Sequence, residues 1–414
     1  MEVAGMAEED KRRGLTRRDF IKTVGIAGMA STRLGTGAVV GAAEGAGTGN
    51  PALPGRKLGK TGAEVSVLAL GGAFDTMNNQ LLLRQARNWG VNYWDTAEAY
   101  GYGLSEEGYG RFFSRNPGAR SDIFLATKVR HGAPEAMTSA LEKCLKRLAT
   151  DMVDLLHVHG ISDFGEIAEP KPIREWVSEM KRAGRIKFFG FTTHSNMENC
   201  LLGAARASWI DVVMFSYNFR LMNTPKMKEA VAACVENGIG LVAIKTQGGG
   251  QVKMDSEAEL QIAGRFLARG FTDKQAKIKA VLENPNIASI CSLMPSLTIL
   301  SANVAAVRDQ TPLSRSDFEL LEKFAAETYE SYCAGCSRIC QEAVGGAIPV
   351  SDIMRCLMYY RHYGEPDLAR EVFAGLPAQA REQLTQIDYS RAEKACPRRL
   401  AISKLMRQAS EILA

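Results

Sequence analysis

The chain has 414 residues, of which 46% are hydrophobic and 23% charged, and it carries a net charge of +5. That composition suits a globular chain long enough for one barrel of roughly 250 residues plus additions. The basic residues form no run outside the N-terminus, which argues against a nucleic-acid partner. No stretch of about 18 uninterrupted apolar residues exists, which excludes a multi-span membrane protein.

The N-terminus reads as an address rather than as part of the fold. Leu15-Thr16-Arg17-Arg18-Asp19-Phe20-Ile21-Lys22 precedes a soft Gly/Ala-rich tract from Val24 to about Ala43. A charged start, a weakly apolar middle and the small residues Gly41-Ala42-Ala43 are the layout of an export signal. The arginine pair followed by Phe20 resembles the twin-arginine type. The competing reading is a chance Arg-Arg in a disordered tail. The signal reading assigns residues 1–50 to signal and linker, engages the twin-arginine export machinery, and implies an exported, periplasmic protein, freed by cleavage or anchored by an uncleaved signal.

From Arg56 the pattern alternates strand and helix, as in βαβ units that build a parallel sheet. Eight apolar runs qualify as strands: Val65–Leu70, Val91–Asp95, Ile123–Lys128, Val153–His159, Phe188–Thr192, Val212–Ser216, Leu241–Lys245 and Ile287–Cys291. Eight is the number that closes a (β/α)8 TIM barrel. Between them, Glu135–Leu148 places Ala136, Ala140, Leu141, Cys144 and Leu148 at helical spacing. Cys144, Cys200, Cys234 and Cys291 fall inside these apolar patterns and read as core thiols.

The strand ends carry the chemistry. The run Gly90-Val91-Asn92-Tyr93-Trp94-Asp95-Thr96-Ala97-Glu98-Ala99-Tyr100-Gly101 brings a carboxylate and then a phenol to the carboxyl end of the second strand, where barrels of this kind keep their active sites. The third strand ends in Lys128 and the fourth in His159. A carbonyl that accepts hydride needs a donor for the oxygen on which charge develops. Tyrosine suits that role if a neighbouring cation lowers its pKa from about 10. Lys128 is the candidate cation, Asp95 the partner that keeps it charged, Tyr100 the proton donor, and His159 the group that hydrogen-bonds the carbonyl oxygen. His157 lies on the same strand face, and the loop histidines His131 and His194 belong to the same mouth.

The ordered set G-x-N-x-x-D-T-A-x-x-Y-G, a strand-end Lys and V-D-L-x-x-x-H resembles the aldo-keto reductases, and the resemblance spans Arg56 to Val307. It implies a barrel domain over 54–308, a small hairpin around Lys57–Gly62 that closes the barrel bottom, and a nicotinamide cofactor, NAD(P)H. It also favours His159 over His157, because His159 ends the strand and matches the motif. The cofactor positions depart from the better-known members. The usual Gln after the sixth strand appears as Met214, the aromatic that stacks on the nicotinamide as Ile244, and the Lys and Arg that clamp a 2′-phosphate as Leu293 and Ile299, while Asn303 remains. Each lost charge-assisted bond is worth roughly 1.5–3 kcal/mol, which leaves the choice between NAD and NADP open. Thr193 and Asn218 carry over as cofactor contacts, and Lys245 with Gly248–Gly250 makes either a phosphate cradle or a flexible loop. An exported enzyme meets no obvious pool of reduced dinucleotide, so the cofactor is expected to travel tightly bound or to be reset by the substrate.

Past the last barrel helix, about Val304 to Arg308, Thr311-Pro312-Leu313-Ser314 opens a helical extension over 309–414. It holds Cys333, Cys336 and Cys340 in the spacing C-x2-C-x3-C, and later Cys396-Pro397. This resembles a ferredoxin-type ligand set for one [4Fe–4S] cluster, with an x3 where x2 is usual and Gln341 after Cys340 instead of proline. The alternatives are a zinc site with four cysteine ligands and disulfides in an oxidising compartment. Cys356, in an amphipathic helix starting near Ser351, reads as core. A barrel with this extension resembles the iron–sulfur branch of the family, and the cluster is either a structural clip or, with a redox partner, an electron carrier. The functional expectation is an exported oxidoreductase that transfers hydride between NAD(P)H and an aldehyde, ketone or sugar-like alcohol. The other is a catalytically silent, redox-sensing or electron-transfer partner protein.

Overall fold

The computed structural model describes residues 53–168, 171–248, 272–327, 332–346, 348–362 and 365–414. The expected signal over 1–50 and the glycines Gly249 and Gly250 lie outside the described residues. Residues Asn50–Ala414 form one compact unit. Among the described residues no helix is long and apolar enough to cross a membrane.

Ten strands are described: β1 (Gly55–Lys57), β2 (Glu64–Ser66), β3 (Leu68–Gly71), β4 (Tyr93–Asp95), β5 (Phe124–Val129), β6 (Val153–Val158), β7 (Ile186–Thr193), β8 (Val212–Ser216), β9 (Gly240–Ile244) and β10 (Ser289–Leu293). Strands β3 to β10 close a barrel in the order β10-β3-β4-β5-β6-β7-β8-β9, every neighbouring pair parallel. All eight barrel strands anticipated from the sequence are present. The first differs in extent, because the run Val65–Leu70 divides into the end of an antiparallel hairpin and the start of β3. The hairpin β1–β2 closes the barrel bottom as expected. Leu58 is fully buried there, and the Lys60 amide donates to the Gly238 carbonyl at 2.5 Å.

Alternation within the strands sorts the side chains into two cores. Ala69, Tyr93, Ala126, Leu155, Val212, Met214, Val242 and Ile244 fill the barrel interior, with Leu58 and Val65 beneath them. The outward positions, such as Leu70, Trp94, Leu125 and Leu156, pack under the helices. Carboxylates fasten the outer layer. Asp154 accepts from the Leu125 amide at 3.0 Å, Arg120 at 2.8 Å and Lys187 at 2.6 Å. Asp211 accepts from the Phe189 amide at 2.8 Å and from Lys181 at 2.5 Å.

The helix over Pro134–Leu148 turns the expected Leu141, Cys144 and Leu148 inward, with a rotation that adds Met137 and Leu145 and leaves out Ala136. Met137, Leu141, Cys144, Leu145 and Leu148 are buried, whereas Ala136 is exposed. The larger apolar side chains remove more surface from water and therefore set the rotation.

The extension begins with a helix over Arg315–Glu327, capped by Ser314, whose amide donates to Asp317 at 2.7 Å. Phe324 and Leu321 of that helix pack with Phe219, Ala276 and Ala280 of the barrel shell. Six further helices, Ser337–Ala343, Val350–His362, Pro366–Ala374, Ala378–Glu382, Ser390–Ala395 and Ile402–Leu413, follow. They enclose a core of their own around Ile353, Cys356, Phe373, Leu384 and Met406. Cys356 is fully buried in it, in keeping with its reading as core.

Candidate active site

Three strand ends, those of β4, β5 and β6, bring the expected quartet together at the carboxyl mouth of the barrel. Asp95 and Lys128 are both almost completely buried, and the Lys128 Nζ donates to Asp95 Oδ2 at 2.5 Å and to the Thr96 carbonyl at 2.7 Å. The same ammonium lies 3.4 Å from the Tyr100 hydroxyl and 4.8 Å from the centre of its ring. Tyr100 reaches this place because the chain turns sharply after it: Gly101, Tyr102 and Gly103 all have positive φ, of 56, 54 and 94°. Two glycines adopt that conformation at no steric cost, and Tyr102 between them is 87% exposed. His159 follows β6, with its amide bonded to the Val129 carbonyl at 2.9 Å, and its ring stands edge-on to Tyr100 with centroids 5.9 Å apart.

Protonation states follow from this packing. Burial alone would push Lys128 toward the neutral amine, but Asp95, Tyr100 and Cys291 together outweigh it and hold the ammonium protonated. Burial raises Tyr100 to about 12, against the opposing pull of Lys128. The expectation of a lowered phenol pKa is therefore corrected: desolvation exceeds the cation's effect, and Tyr100 keeps its proton across the neutral range. Burial, with Lys128 and Arg355 adding to it, lowers His159 to about 3, so its imidazole is neutral. His157 is fully buried in the barrel beneath, has no hydrogen-bond partner on either ring nitrogen, and is held neutral mainly by burial. It lies in register with Lys128 on one side and Gly190 on the other. His194 enters the mouth, its Nδ1 lying 3.3 Å from the Ser216 hydroxyl, whereas His131 is exposed.

Cys291 does not behave as an ordinary core thiol. It is the inward-facing residue of β10 beside β3, and its thiol reaches the Asp95 carboxylate inside the site. Nothing in its apolar run signalled this, because strand neighbours across the barrel closure are far apart in sequence. A second group missed from the sequence supports the quartet from behind. Glu106, fully buried, accepts from Thr127 Oγ1 and from Arg147 Nε, both at 2.6 Å, and ties the helix Leu104–Arg115 to β5.

The expected cofactor contacts stand around the same mouth. Thr193 donates its hydroxyl to the Ser195 carbonyl at 2.7 Å. Asn218 donates to the Lys245 carbonyl at 3.2 Å and to the Tyr332 hydroxyl at 3.0 Å, and Asn303 bonds Gln275 and Ser292, each at 3.2 Å. Lys245 sits directly after β9 with φ of 56°, and Gly248 follows with φ of 67°. Met214 and Ile244 are buried in the barrel core, and Ile299, at the expected 2′-phosphate clamp, is 42% exposed.

Matches with known proteins agree with the barrel fold. The Aldo/keto reductase family model matches residues 67–346. The chain belongs to the aldo/keto reductase family. Among curated relatives, the aldo-keto reductase yakc [NADP(+)] of Schizosaccharomyces pombe is 31% identical over 49% of this chain and 60% of its own length. The chain thus spans less than two thirds of that relative. L-galactose dehydrogenase of Arabidopsis thaliana is 26% identical over 64% of this chain and 92% of its own length. The solved aldo-keto reductase AKR11C1 from Bacillus halodurans, in its holo form, shares the fold with a TM-score of 0.55 at 24% identity, covering 69% of this chain and 98% of that one.

The four cysteines of this aldo/keto reductase's extension meet. Cys333, Cys336, Cys340 and Cys396 line one cavity with Ile339, Val350, Met354, Leu400 and Ile402. None of the four forms a disulfide, and burial first raises Cys333 to about 12 and Cys340 to about 11. Among the described residues no group of three or more His, Cys, Asp or Glu side chains is arranged to hold a metal ion.

Proposed function

We propose that this protein reduces an aldehyde or ketone, or oxidises the corresponding alcohol, by hydride exchange with a nicotinamide dinucleotide, with Tyr100 as the proton donor. The observation that carries the reading is the contact of a protonated Lys128, fixed by Asp95, with the Tyr100 phenol beside a neutral His159. The relative named aldo-keto reductase yakc [NADP(+)] and the Klebsiella pneumoniae aldo-keto reductase solved in complex with NADPH favour NADPH, while Leu293 and Ile299 leave NADH as a second donor. The names L-galactose dehydrogenase and D-threo-aldose 1-dehydrogenase among the relatives favour a sugar-like substrate.

When bound, the dinucleotide supplies the hydride that adds to the carbonyl carbon. The chain supplies the rest. His159, neutral, orients the carbonyl oxygen by a hydrogen bond. Tyr100 transfers its proton to that oxygen as negative charge develops on it, and the phenolate left behind is stabilised by the Lys128 ammonium 3.4 Å away. Lys245 and the Gly248 backbone would hold phosphate oxygens in this reading, and Asn303 would contact the adenosine end. The quartet's intact geometry favours this catalytic reading over a silent electron carrier. The test is nicotinamide oxidation by the purified chain over a panel of sugars and simple carbonyls with NADPH and NADH; turnover is expected, and neither turnover nor nucleotide binding at millimolar concentrations would refute it.

The extension holds one [4Fe–4S] cluster in this reading, bound by Cys333, Cys336, Cys340 and Cys396. The support is their shared cavity, whose four thiols would bind the irons of a cubane. Its role is to clip the extension's helices together. Export by the twin-arginine route rests on Arg17-Arg18 and the tract that follows.

A further inference from the structure

The turn that follows β9 is clamped by the run that follows β8. Asn218, Phe219 and Arg220 are all buried, and each holds a different part of the turn Lys245–Gly248. Asn218 Nδ2 donates to the Lys245 carbonyl at 3.2 Å, and Arg220 Nε donates to the Gly248 carbonyl at 2.7 Å. The Gly248 amide closes the turn on the Lys245 carbonyl at 3.0 Å. Phe219 fills the remaining space, since a Cβ on Gly248 would lie 2.7 Å from its ring. Such a turn needs holding: Lys245 has φ of 56°, and a non-glycine residue keeps that left-handed backbone only where its surroundings over-determine it.

The extension supplies the other half of the clamp. The buried Tyr332 accepts from Asn218 Nδ2 on its hydroxyl at 3.0 Å. The Arg220 guanidinium lies among the rings of Phe219, Phe324 and Tyr332, at 4.9, 5.2 and 5.0 Å from their centres, and its Nη1 donates to the Ala325 carbonyl at 3.1 Å. A planar fork can serve two carbonyls while its faces rest on rings; an ammonium cannot. Farther along the extension, the Tyr359 ring centre stands 4.5 Å from the Lys245 Nζ. The loop after β7, which follows Thr193, is tied in the same manner: the Ser351 hydroxyl lies 3.1 Å from that of Ser195, and the Gly335 carbonyl accepts from the Asn196 amide at 2.7 Å.

We propose that Arg220 and Tyr332 are positioning residues for the dinucleotide: together they hold the turn Lys245–Gly248 in the shape that receives its phosphates, which makes the extension a working part of the cofactor site. This rests on the reductase reading and its assignment of that turn to the phosphates. Arg220 acts through the Gly248 carbonyl and Tyr332 through Asn218, so nucleotide affinity depends on them and carbonyl binding does not.

The test is fluorescence titration of the full chain with NADPH and NADH, beside thermal melting of each variant. Arg220→Met is expected to weaken nucleotide binding about 10- to 100-fold, with Arg220→Lys recovering only part of the loss. Tyr332→Phe keeps the ring against Arg220 and removes only the hydroxyl, and should weaken binding about 3- to 10-fold. At saturating nucleotide, kcat and the carbonyl KM should stay within about threefold of wild type in both. Leu384→Ala, in the extension's own core, controls for general loosening: its melting temperature should fall while nucleotide affinity holds. If Arg220→Met does not fold, Tyr332→Phe decides alone. Wild-type affinity in the clamp variants would overturn the proposal, as would an equal loss of affinity in Leu384→Ala. A wild type that binds neither nucleotide at millimolar concentrations would instead refute the reductase reading, and the proposal with it.

Discussion

Asp95, Lys128 and Tyr100 show how three buried polar groups settle one another's protons. Removing the ammonium leaves a buried carboxylate without its partner, and the cost of that orphan is about 3–5 kcal/mol. Lys128→Met is therefore expected to lower unfolding free energy by that order in a urea titration; a loss below about 1 kcal/mol would contradict the pairing described. Acid stability has a defined sign. His159 has a pKa of about 3 in the fold and an ordinary value of 6.5, so the unfolded chain binds more protons between those values. Stability present above about pH 6.5 is lost progressively as the pH falls toward 3, and melting temperatures measured across that range should decline. The same protonation states predict a carbonyl-reduction rate that is level from about pH 5 to about 9, since Tyr100 holds its proton up to about 12. The quartet itself was legible in the sequence, because each member ends a strand within an ordered motif. The direction of Tyr100's shift was not, because desolvation of the phenol, its largest cause, depends on how segments distant in sequence pack around it.

Among the elements, the barrel strands could be read from eight apolar runs, and the helix spacing between them was clear. Their exact ends and facings were not: the first run held a hairpin strand as well, and Ala136 lost its place to Met137 and Leu145. The loop Cys333–Cys336 illustrates a constraint invisible to periodicity. Gly335 has φ of 77°, and a Cβ there would lie 2.5 Å from the His194 carbonyl oxygen. Gly335→Ala should cost about 1–2 kcal/mol from the left-handed backbone alone, with the contact adding to it. Chemical unfolding of the variant measures this, and wild-type stability would show that the loop does not press on the His194 segment.

At the scale of the whole molecule, the extension carries its own core and its own cysteine cluster while one helix serves the barrel mouth. The cysteine spacing announced the gathering of the four thiols; the contact of Tyr359 with Lys245 had no local signal, since they meet only when the extension folds back across more than a hundred residues. If the four thiols hold a cluster that clips the helices, Cys396→Ser should purify with iron and sulfide well below four per chain and melt at a lower temperature. Stoichiometric zinc in the wild type, without sulfide, would assign the cavity to a different metal.

The central claim is proton donation by Tyr100. Tyr100→Phe removes only the hydroxyl and leaves Asp95 and Lys128 paired, so the fold should persist. Steady-state carbonyl reduction with saturating NADPH should fall by about 10²- to 10⁴-fold in kcat, with nucleotide affinity little changed. A variant that reduces the same substrate at the wild-type rate would contradict the mechanism.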